Sequence, residues 1–512
     1  MSGGSAGGGA SSPPERPTAP AAAVSVVAGR GALFIGGAKA FFMLSGFLQN
    51  VFLTRILGVA EFGAYSVVTK VVSIVNNAVV QSTIQSVSKF TAEDDVRAGE
   101  VKRAGLRMQL VLGGAIGLAF FAFAPLFADA VKAPDYTDWF RIVAIIPFLY
   151  ALYAVFVGSA NGLRRFRAQA GFDVGFSTAK TVLVLGGAAA LGTSGAFAGF
   201  AAAAAVILVA AARVMGLPAR TGGAFPARRL LLFMGEVVAY GLLLNLALNY
   251  DLPLLRRFAG AAAATADQAS VLAGAYEALR TVALLPNQAL IVITFVIFPL
   301  VSRSTFAEDR QATAAYVTQS LRYAFILAAA MGVVLAARPA AVLGILYKPE
   351  YGLGAAALPI LVTGQCCLAL SAVACAILNA AGRVRMALVV VAATVAVGAA
   401  VAAITVPRVV PGPAMLAAMA AATSTGMVVG FLIALAYLRA RLGGGPPGAT
   451  VLRVAAASIA AVAVGRLLPG TGKIGGLAAL AVVGAVYLAA LVLFRELGPA
   501  DRAKLGKILR RG

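Results

Sequence analysis

Apolar residues run in blocks of about twenty, long enough to cross roughly 30 Å of hydrocarbon as helix, and short polar interruptions separate them from Gly31 to Phe494. The pattern predicts about fourteen transmembrane helices, over residues 31–53, 62–85, 106–130, 140–161, 172–191, 196–214, 230–255, 271–300, 323–346, 352–381, 386–406, 414–438, 452–468 and 474–494. The runs are too long and too continuously apolar for barrel strands, which alternate over about ten residues. The predicted class is an all-α polytopic membrane protein.

The spans repeat. "FGAYSVVTKVVSIVNN" from Phe62 resembles "LAGAYEALRTVALLPNQ" from Leu272, sharing Gly-Ala-Tyr and placing Asn76-Asn77 opposite Asn287-Gln288. "AEDD" at Ala92 matches "AEDR" at Ala307, "KAPDY" at Lys132 matches "YKPEY" at Tyr347, Pro147 falls opposite Pro359, and "SANGLRR" at Ser159 opposite "LNAAGRVR" at Leu378. The matches keep their order at a separation of roughly 211 to 218 residues, as a duplication requires. Each copy holds about six spans, an even number, so both enter the membrane from the same side and face each other across a central cavity. The expected organisation is a disordered cytosolic tail at 1–30, an N-lobe at 31–220, a C-lobe at 221–440, and an appended pair of helices with a basic tail at 441–512.

Composition agrees: 61% of residues are hydrophobic and 12% charged. The first thirty residues are rich in Gly, Ser, Ala and Pro without the layout of a cleavable signal. The net charge of +23 could suggest nucleic acid, but the basic clusters at Lys102/Arg103/Arg107, Arg164/Arg165/Arg167, Arg228/Arg229 and Arg502–Arg511 all fall on one side of the predicted spans. That places both termini in the cytosol of a cell whose cytoplasmic membrane the chain spans, and makes the charge a topology signal, with no nucleic-acid partner expected. Cys366, Cys367 and Cys375 share one apolar span and form no CxxC, so neither a disulfide framework nor a metal site is expected.

The second span carries a polar stripe. With 100° per residue, Ser66, Ser73, Asn77, Gln81, Gln85 and Ser88 all lie within about 60° of Lys70. The equivalent helix has Tyr276, Glu277, Arg280, Asn287 and Thr294, with Arg280 one position from the repeat equivalent of Lys70. A charge at the bilayer centre costs about 2.5–3.5 kcal/mol on insertion scales, so Lys39, Lys70, Lys180 and Arg280 call for compensation. On helical spacing, Glu277 can pair with Arg280 and Asp173 with Lys180. No acidic residue on the same helix serves Lys39 or Lys70, and an anionic substrate is a candidate counter-charge. The bland alternative is that the lysines snorkel to the interface and the amides join helices. Lys39, Lys70, Asn77, Gln81, Glu277, Arg280 and Asn287 are the candidate cavity residues. Glu236, Asp173 and Lys180 are candidates for coupling a proton or sodium ion; Glu236 is equally suited to an interhelical hydrogen bond, and for Asp173/Lys180 a structural ion pair near the cytosolic end is the favoured reading.

Parallel six-plus-six repeats, "GVAEFGAYS" at Gly58–Ser66 and "NAAGRVR" at Asn379–Arg385 resemble the multidrug/oligosaccharidyl-lipid/polysaccharide flippase superfamily. Within it the chain is most similar to the polysaccharide transporter (Wzx-type) branch, and its fourteen-span layout is also similar to lipid II flippases. The resemblance implies two lobes around a cavity and alternating access, with cations on the first, second and eighth helices meeting a diphosphate; Lys39, Lys70 and Arg280 occupy those helices here. Two of the three are lysines, which offer a point charge where arginine offers a bidentate fork.

These readings lead to a flippase for a polyprenyl-diphosphate-linked oligosaccharide, with the lipid-linked glycan and the bilayer as partners and no cofactor. A lipid II flippase and a multidrug antiporter are alternatives, the latter opposed by basic residues in the cavity. A membrane glycosyltransferase or polymerase is disfavoured: there is no His, the loops are short, and no carboxylate pair sits in one of them. A Walker A motif is also absent from the sequence.

Overall fold

The computed structural model describes residues 21–218, 223–263, 265–290, 301–302, 304–305, 309–469 and 472–498, with side chains from Gly36 onward. Among them every regular element is helical. Helix α1 (Ala21–Glu93) and helix α6 (Phe166–Met215) are each two helices joined at a non-helical point, at Gly58 (φ 74°) and at Leu191-Gly192 (φ 61° at the glycine). Only glycine adopts such backbone angles cheaply, so each point is a place where the chain can turn back on itself. Across the first turn Gln49 lies beside Tyr65. Across the second, the Lys180 ammonium stands 4.3 Å from the centre of the Phe200 ring. Both long helices are therefore hairpins that cross twice.

Eleven helices among the described residues are long and apolar enough to cross a membrane, and the two hairpins are among them. One further predicted span, 271–300, falls short of that composition because α9 (Ala266–Ala283) carries Asp267, Glu277 and Arg280; its residues 291–300, with Thr294 of the expected stripe, lie outside the described residues. The expected fourteen spans are accounted for in this way. Large apolar side chains such as Val111, Leu118, Val182, Leu232 and Ile459 are exposed, the pattern of a protein whose outer solvent is lipid. This is a multi-pass membrane protein.

Several expected spans are bent. Span 106–130 breaks at Phe123 between α2 (Ala98–Ala122) and α3 (Ala124–Ala130), and 323–346 breaks at Arg338 between α10 (Arg310–Ala337) and α11 (Pro339–Leu346). Each break is followed by proline within the next helix's first turn, where its missing N–H costs nothing. Span 230–255 breaks at Tyr250 between α7 (Ala227–Asn249) and α8 (Asp251–Ala262), and span 140–161 at Ala144 between α4 (Thr137–Val143) and the following helix. The first two breaks occupy repeat-related positions, and so do the 3-10 turns Pro134–Tyr136 and Pro349–Ala357 that follow them. Beyond the turns, α5 (Ile145–Gly162) corresponds to α12 (Leu358–Ala380), and the start of α6 to that of α13 (Val384–Thr405). One boundary differs at the N-terminus: the expected tail 1–30 gives way to helix at Ala21, because "AAAVSVV" is rich in the strongest helix former. The basic C-terminal cluster lies outside the described residues.

α1 packs on α5, α6, α7 and α9, while α12, α13 and α14 (Pro413–Leu442) pack together. The last two helices, α15 (Gly448–Leu467) and α16 (Gly472–Leu493), pack on α10 and α11. The two Gly-Ala-Tyr segments meet directly. A Cβ on Gly63 would lie 2.1 Å from the Ser270 carbonyl oxygen and 2.6 Å from the Gly274 nitrogen, and one on Gly274 would lie 1.9 Å from the Val59 carbonyl oxygen. Repeat-equivalent glycines touching in this way put the pseudo-twofold axis at their contact and close that end of the space between the helices.

Candidate functional site

Beyond this crossing lies a cavity of about 490 Å³. Its walls come from both arms of the α1 hairpin (Phe42–Asn50 and Tyr65–Asn77), from Lys180 of α6, from Asn245–Asn249 of α7, and from Glu277 onward in and after α9. The polar face of α1 continues past it, with Asn77, Gln81 and Gln85 all exposed. The cavity is therefore shut at the glycine crossing and continuous with a polar stripe in the other direction.

A charge network crosses the cavity. Lys70 Nζ lies 2.9 Å from Glu277 Oε1, and Arg280 Nη1 lies 3.2 Å from the other oxygen, Glu277 Oε2. Arg280 Nε lies 3.1 Å from Asp251 Oδ2, and its remaining nitrogen donates to the Leu248 carbonyl. Asp251 also accepts from the Tyr276 hydroxyl (3.4 Å) and from the Leu252 N–H (3.0 Å). Arg280 is thus a fixed member of a buried cluster, its side chain 3% exposed, whereas Lys70 keeps 18% exposure. Its partner on the opposite helix, Glu277, is shared between the two halves of the chain. Lys180 lines the same cavity against the face of Phe200, with no ion pair to a carboxylate among the described residues.

Of the sequence candidates, Lys70, Asn77, Lys180, Glu277, Arg280 and Asn287 line this one cavity. Lys39 does not: it pairs with Asp173 at 3.0 Å on a surface where it is 40% exposed. That overturns the Asp173–Lys180 pairing expected from helical spacing, because the α1 and α6 hairpins pack together and offer Asp173 a cation from a neighbouring helix. Gln81 is exposed on the stripe outside the cavity, and Glu236 is exposed on α7, also outside it. The counter-charge missing for Lys70 on its own helix is supplied by Glu277 from the other half.

Sequence reasoning missed Asp251, Asn245 and Asn249. Asp251 is 2% exposed and could have been found by the rule that an ionisable residue within an apolar span is functional until shown otherwise. Asn245 and Asn249 line the cavity one turn apart, each donating to the backbone carbonyl one turn earlier. On the facing wall Asn50 donates to the Thr281 hydroxyl at 3.4 Å.

The family described as polysaccharide biosynthesis protein matches residues 28–305, over half of the chain. The chain belongs to that family. No curated protein matches it. Among solved structures, the chain shares its fold with the lipid II flippase MurJ in an inward closed conformation, at TM-score 0.75 and 14% identity over 91% of this chain and 99% of that one. It also shares the fold with an inward-facing multidrug resistance MATE transporter of the MOP superfamily (TM-score 0.65, 14% identity, 80% and 98% covered). A third match is a MOP superfamily transporter from Pyrococcus furiosus, described by a reverse polarity of its binding pocket (TM-score 0.60, 14% identity, 81% and 95% covered).

Proposed function

We propose that this protein is a flippase that carries a polyprenyl-diphosphate-linked oligosaccharide across the cytoplasmic membrane by alternating access, for polysaccharide export. The observation that carries the reading is the charge balance of the cavity. Three cations line it, Lys70, Lys180 and Arg280, against two carboxylates, Glu277 in the wall and Asp251 behind Arg280, and Lys180 pairs with neither. A surplus cation in a partly desolvated space favours an anion, and phosphate accepts charge-assisted hydrogen bonds from ammonium groups.

The network suggests how the diphosphate is taken up. Lys180, free of a carboxylate, meets the incoming phosphate, and the phosphate then competes with Glu277 for Lys70. Glu277 keeps Arg280 as its partner, so no carboxylate is stranded when the exchange occurs. The exchange breaks the ion pair that ties the two halves together below the glycine crossing. Asn50, Asn77, Asn245, Asn249 and Asn287 offer donors and acceptors for sugar hydroxyls, while the polyprenyl chain stays in lipid. Residues 31–220 and 221–440 act as the two lobes, and opening the far end requires Gly63 and Gly274 to part.

A lipid II flippase would use the same phosphate chemistry and remains the second reading on that ground; a multidrug antiporter for cationic substrates conflicts with the surplus cation. The test is complementation of a flippase-deficient strain, scored against protein level in the membrane. The Lys70→Gln, Lys180→Gln double variant should be inserted in the membrane, at a level somewhat below wild type, and be inactive per molecule present. Full complementation by that variant would overturn the reading. The orientation proposed, with both termini cytosolic, is checked by cysteine labelling of intact cells at Asp135 and Glu350, which should be accessible.

A further inference from the structure

A second cavity, of about 510 Å³, lies far from the first, where the break between α10 and α11 meets the ends of α15 and α16 that face each other. Three of its lining residues are cations, Arg338, Arg466 and Lys473, and none is acidic. Small residues, Ala340, Ala341, Gly344 and Gly465, make its space. Arg338 donates to the Leu468 carbonyl, which ties the break in α10–α11 to the end of α15. Beside Arg466 and Lys473 in the chain stand exposed apolar residues, Leu467 at 83% and Ile474 at 85% exposure, so the surroundings of the hollow are apolar. A cationic hollow with apolar surroundings at the end of membrane helices fits an amphiphile with an anionic head.

The repeat makes this feature informative. The position equivalent to Arg338 in the other copy of the break is Phe123, so the bend itself needs no cation. The helices that complete the hollow, α15 and α16, have no counterpart in the repeat. This is also the end of the bundle at which α1 turns back, since Arg55, three residues before Gly58, reaches the Leu346 carbonyl at the end of α11. In the orientation proposed above it is the external end, where topology selects against Lys and Arg. Three cations gathered there need a reason other than topology.

We infer that the hollow between α11 and the α15–α16 pair binds the phosphate headgroup of an anionic glycerophospholipid, held by Arg338, Arg466 and Lys473. The acyl chains lie along the apolar surroundings, and the bound lipid fastens the last two helices to α10 and α11. The site is separate from the central cavity and stands or falls independently of the flippase reading.

The experiment is native mass spectrometry of the full chain in detergent, titrated with phosphatidylglycerol, with phosphatidylcholine, or with a polyprenyl diphosphate. Wild type should bind phosphatidylglycerol more tightly than phosphatidylcholine. Arg466→Gln with Lys473→Gln should lose at least about tenfold of that affinity, as the removal of two cations from an anionic headgroup implies. The same pair of changes should leave polyprenyl diphosphate binding unaltered. Arg466→Lys with Lys473→Arg, which keeps both charges, should retain phosphatidylglycerol binding and shows that the site is still folded. Arg408→Gln, which removes an exposed cation elsewhere, should change nothing. Equal losses in Arg408→Gln and in the double variant would assign the effect to net charge and overturn the proposal. Loss of polyprenyl diphosphate alone in the double variant would overturn the choice of ligand.

Discussion

The second arm of α1 and helix α9 share Gly-Ala-Tyr, touch at those glycines, and then part company in charge. α1 offers a single cation, Lys70, followed by Ser73 and Asn77. α9 carries both Glu277 and Arg280 and takes a further carboxylate from Asp251 at the start of α8. Duplication has kept the feature that needs symmetry, a close approach of two backbones on the twofold axis. It has not kept the feature that needs asymmetry, an ion cluster in which Arg280 holds both carboxylates of its own half and Lys70 of the other half neutralises the one negative charge left over. The α9 side is thereby a permanent anchor, and Lys70 is the exchangeable member.

Removing the anchor should produce the largest effect. Arg280→Met would strand Asp251 and leave Glu277 with Lys70 alone, in a site where both carboxylates are almost fully buried, and breaking a buried pair by deleting one partner costs about 3–5 kcal/mol. The expected outcome is severe loss of folded protein in the membrane, measured by fluorescence-detected gel filtration. Partial recovery is expected when Asp251→Asn is added, since Glu277 still keeps Lys70. Wild-type stability of Arg280→Met alone would end the distinction between anchor and exchangeable partner.

The glycine crossing is the next most sensitive point. Gly63→Leu places a side chain where even a Cβ would overlap the Ser270 carbonyl, so the two helices must separate at this end. Translocation should be abolished while the protein remains inserted, and a cysteine at Asn50 should become reactive from the end that is otherwise shut. Unchanged activity would mean that the crossing need not close during transport. Gly63→Ala should act in the same direction, more weakly.

How much of this could be read from the sequence follows from the range of each interaction. Helix count, the stripe on α1, and the kinship of Lys70 and Arg280 are periodic or repeated features, and periodicity needs no knowledge of which helices touch. Partners do need it. Helical spacing pairs Asp173 with Lys180 within one helix, but its actual cation, Lys39, is 134 residues earlier on a neighbouring hairpin. Asp251 went unnoticed because it sits at the bend of an expected straight span, where it caps nothing visible in sequence. Gly63 and Gly274 were legible as a shared motif; that the two copies press against each other is a tertiary fact.

Lys180 offers a cleaner test of anion binding than Lys70, because no carboxylate depends on it. Lys180→Gln should lower affinity for a polyprenyl diphosphate by about tenfold or more, since a hydrogen bond to a charged group contributes about 1.5–3 kcal/mol. Stability should stay within about 0.5 kcal/mol of wild type, as for a substitution that leaves no group unsatisfied. Lys70→Gln should lose similar affinity together with some stability, because Glu277 then keeps only Arg280. If Lys180→Gln binds as wild type, the phosphate is held elsewhere in the cavity.

The smallest effect is expected at Lys39, and it sharpens the same contrast from outside. Its partner Asp173 is only 12% exposed, but the lysine itself is 40% exposed and lies over the ring of Phe42 at 5.8 Å. A pair open on one side gains little Coulomb energy, and exposed ion pairs contribute about 0–1 kcal/mol. Lys39→Gln should therefore leave complementation and diphosphate affinity unchanged. Asp173→Asn, which removes the other half of the pair, should do the same, because neither residue lines the cavity. The measurement is the binding titration used for Lys180, run in parallel on the same preparation. A loss at Lys39 as large as that at Lys180 would show that the charge acting on the substrate extends beyond the cavity walls, and that the surface pair is an entry point for the headgroup rather than a fastening between the α1 and α6 hairpins.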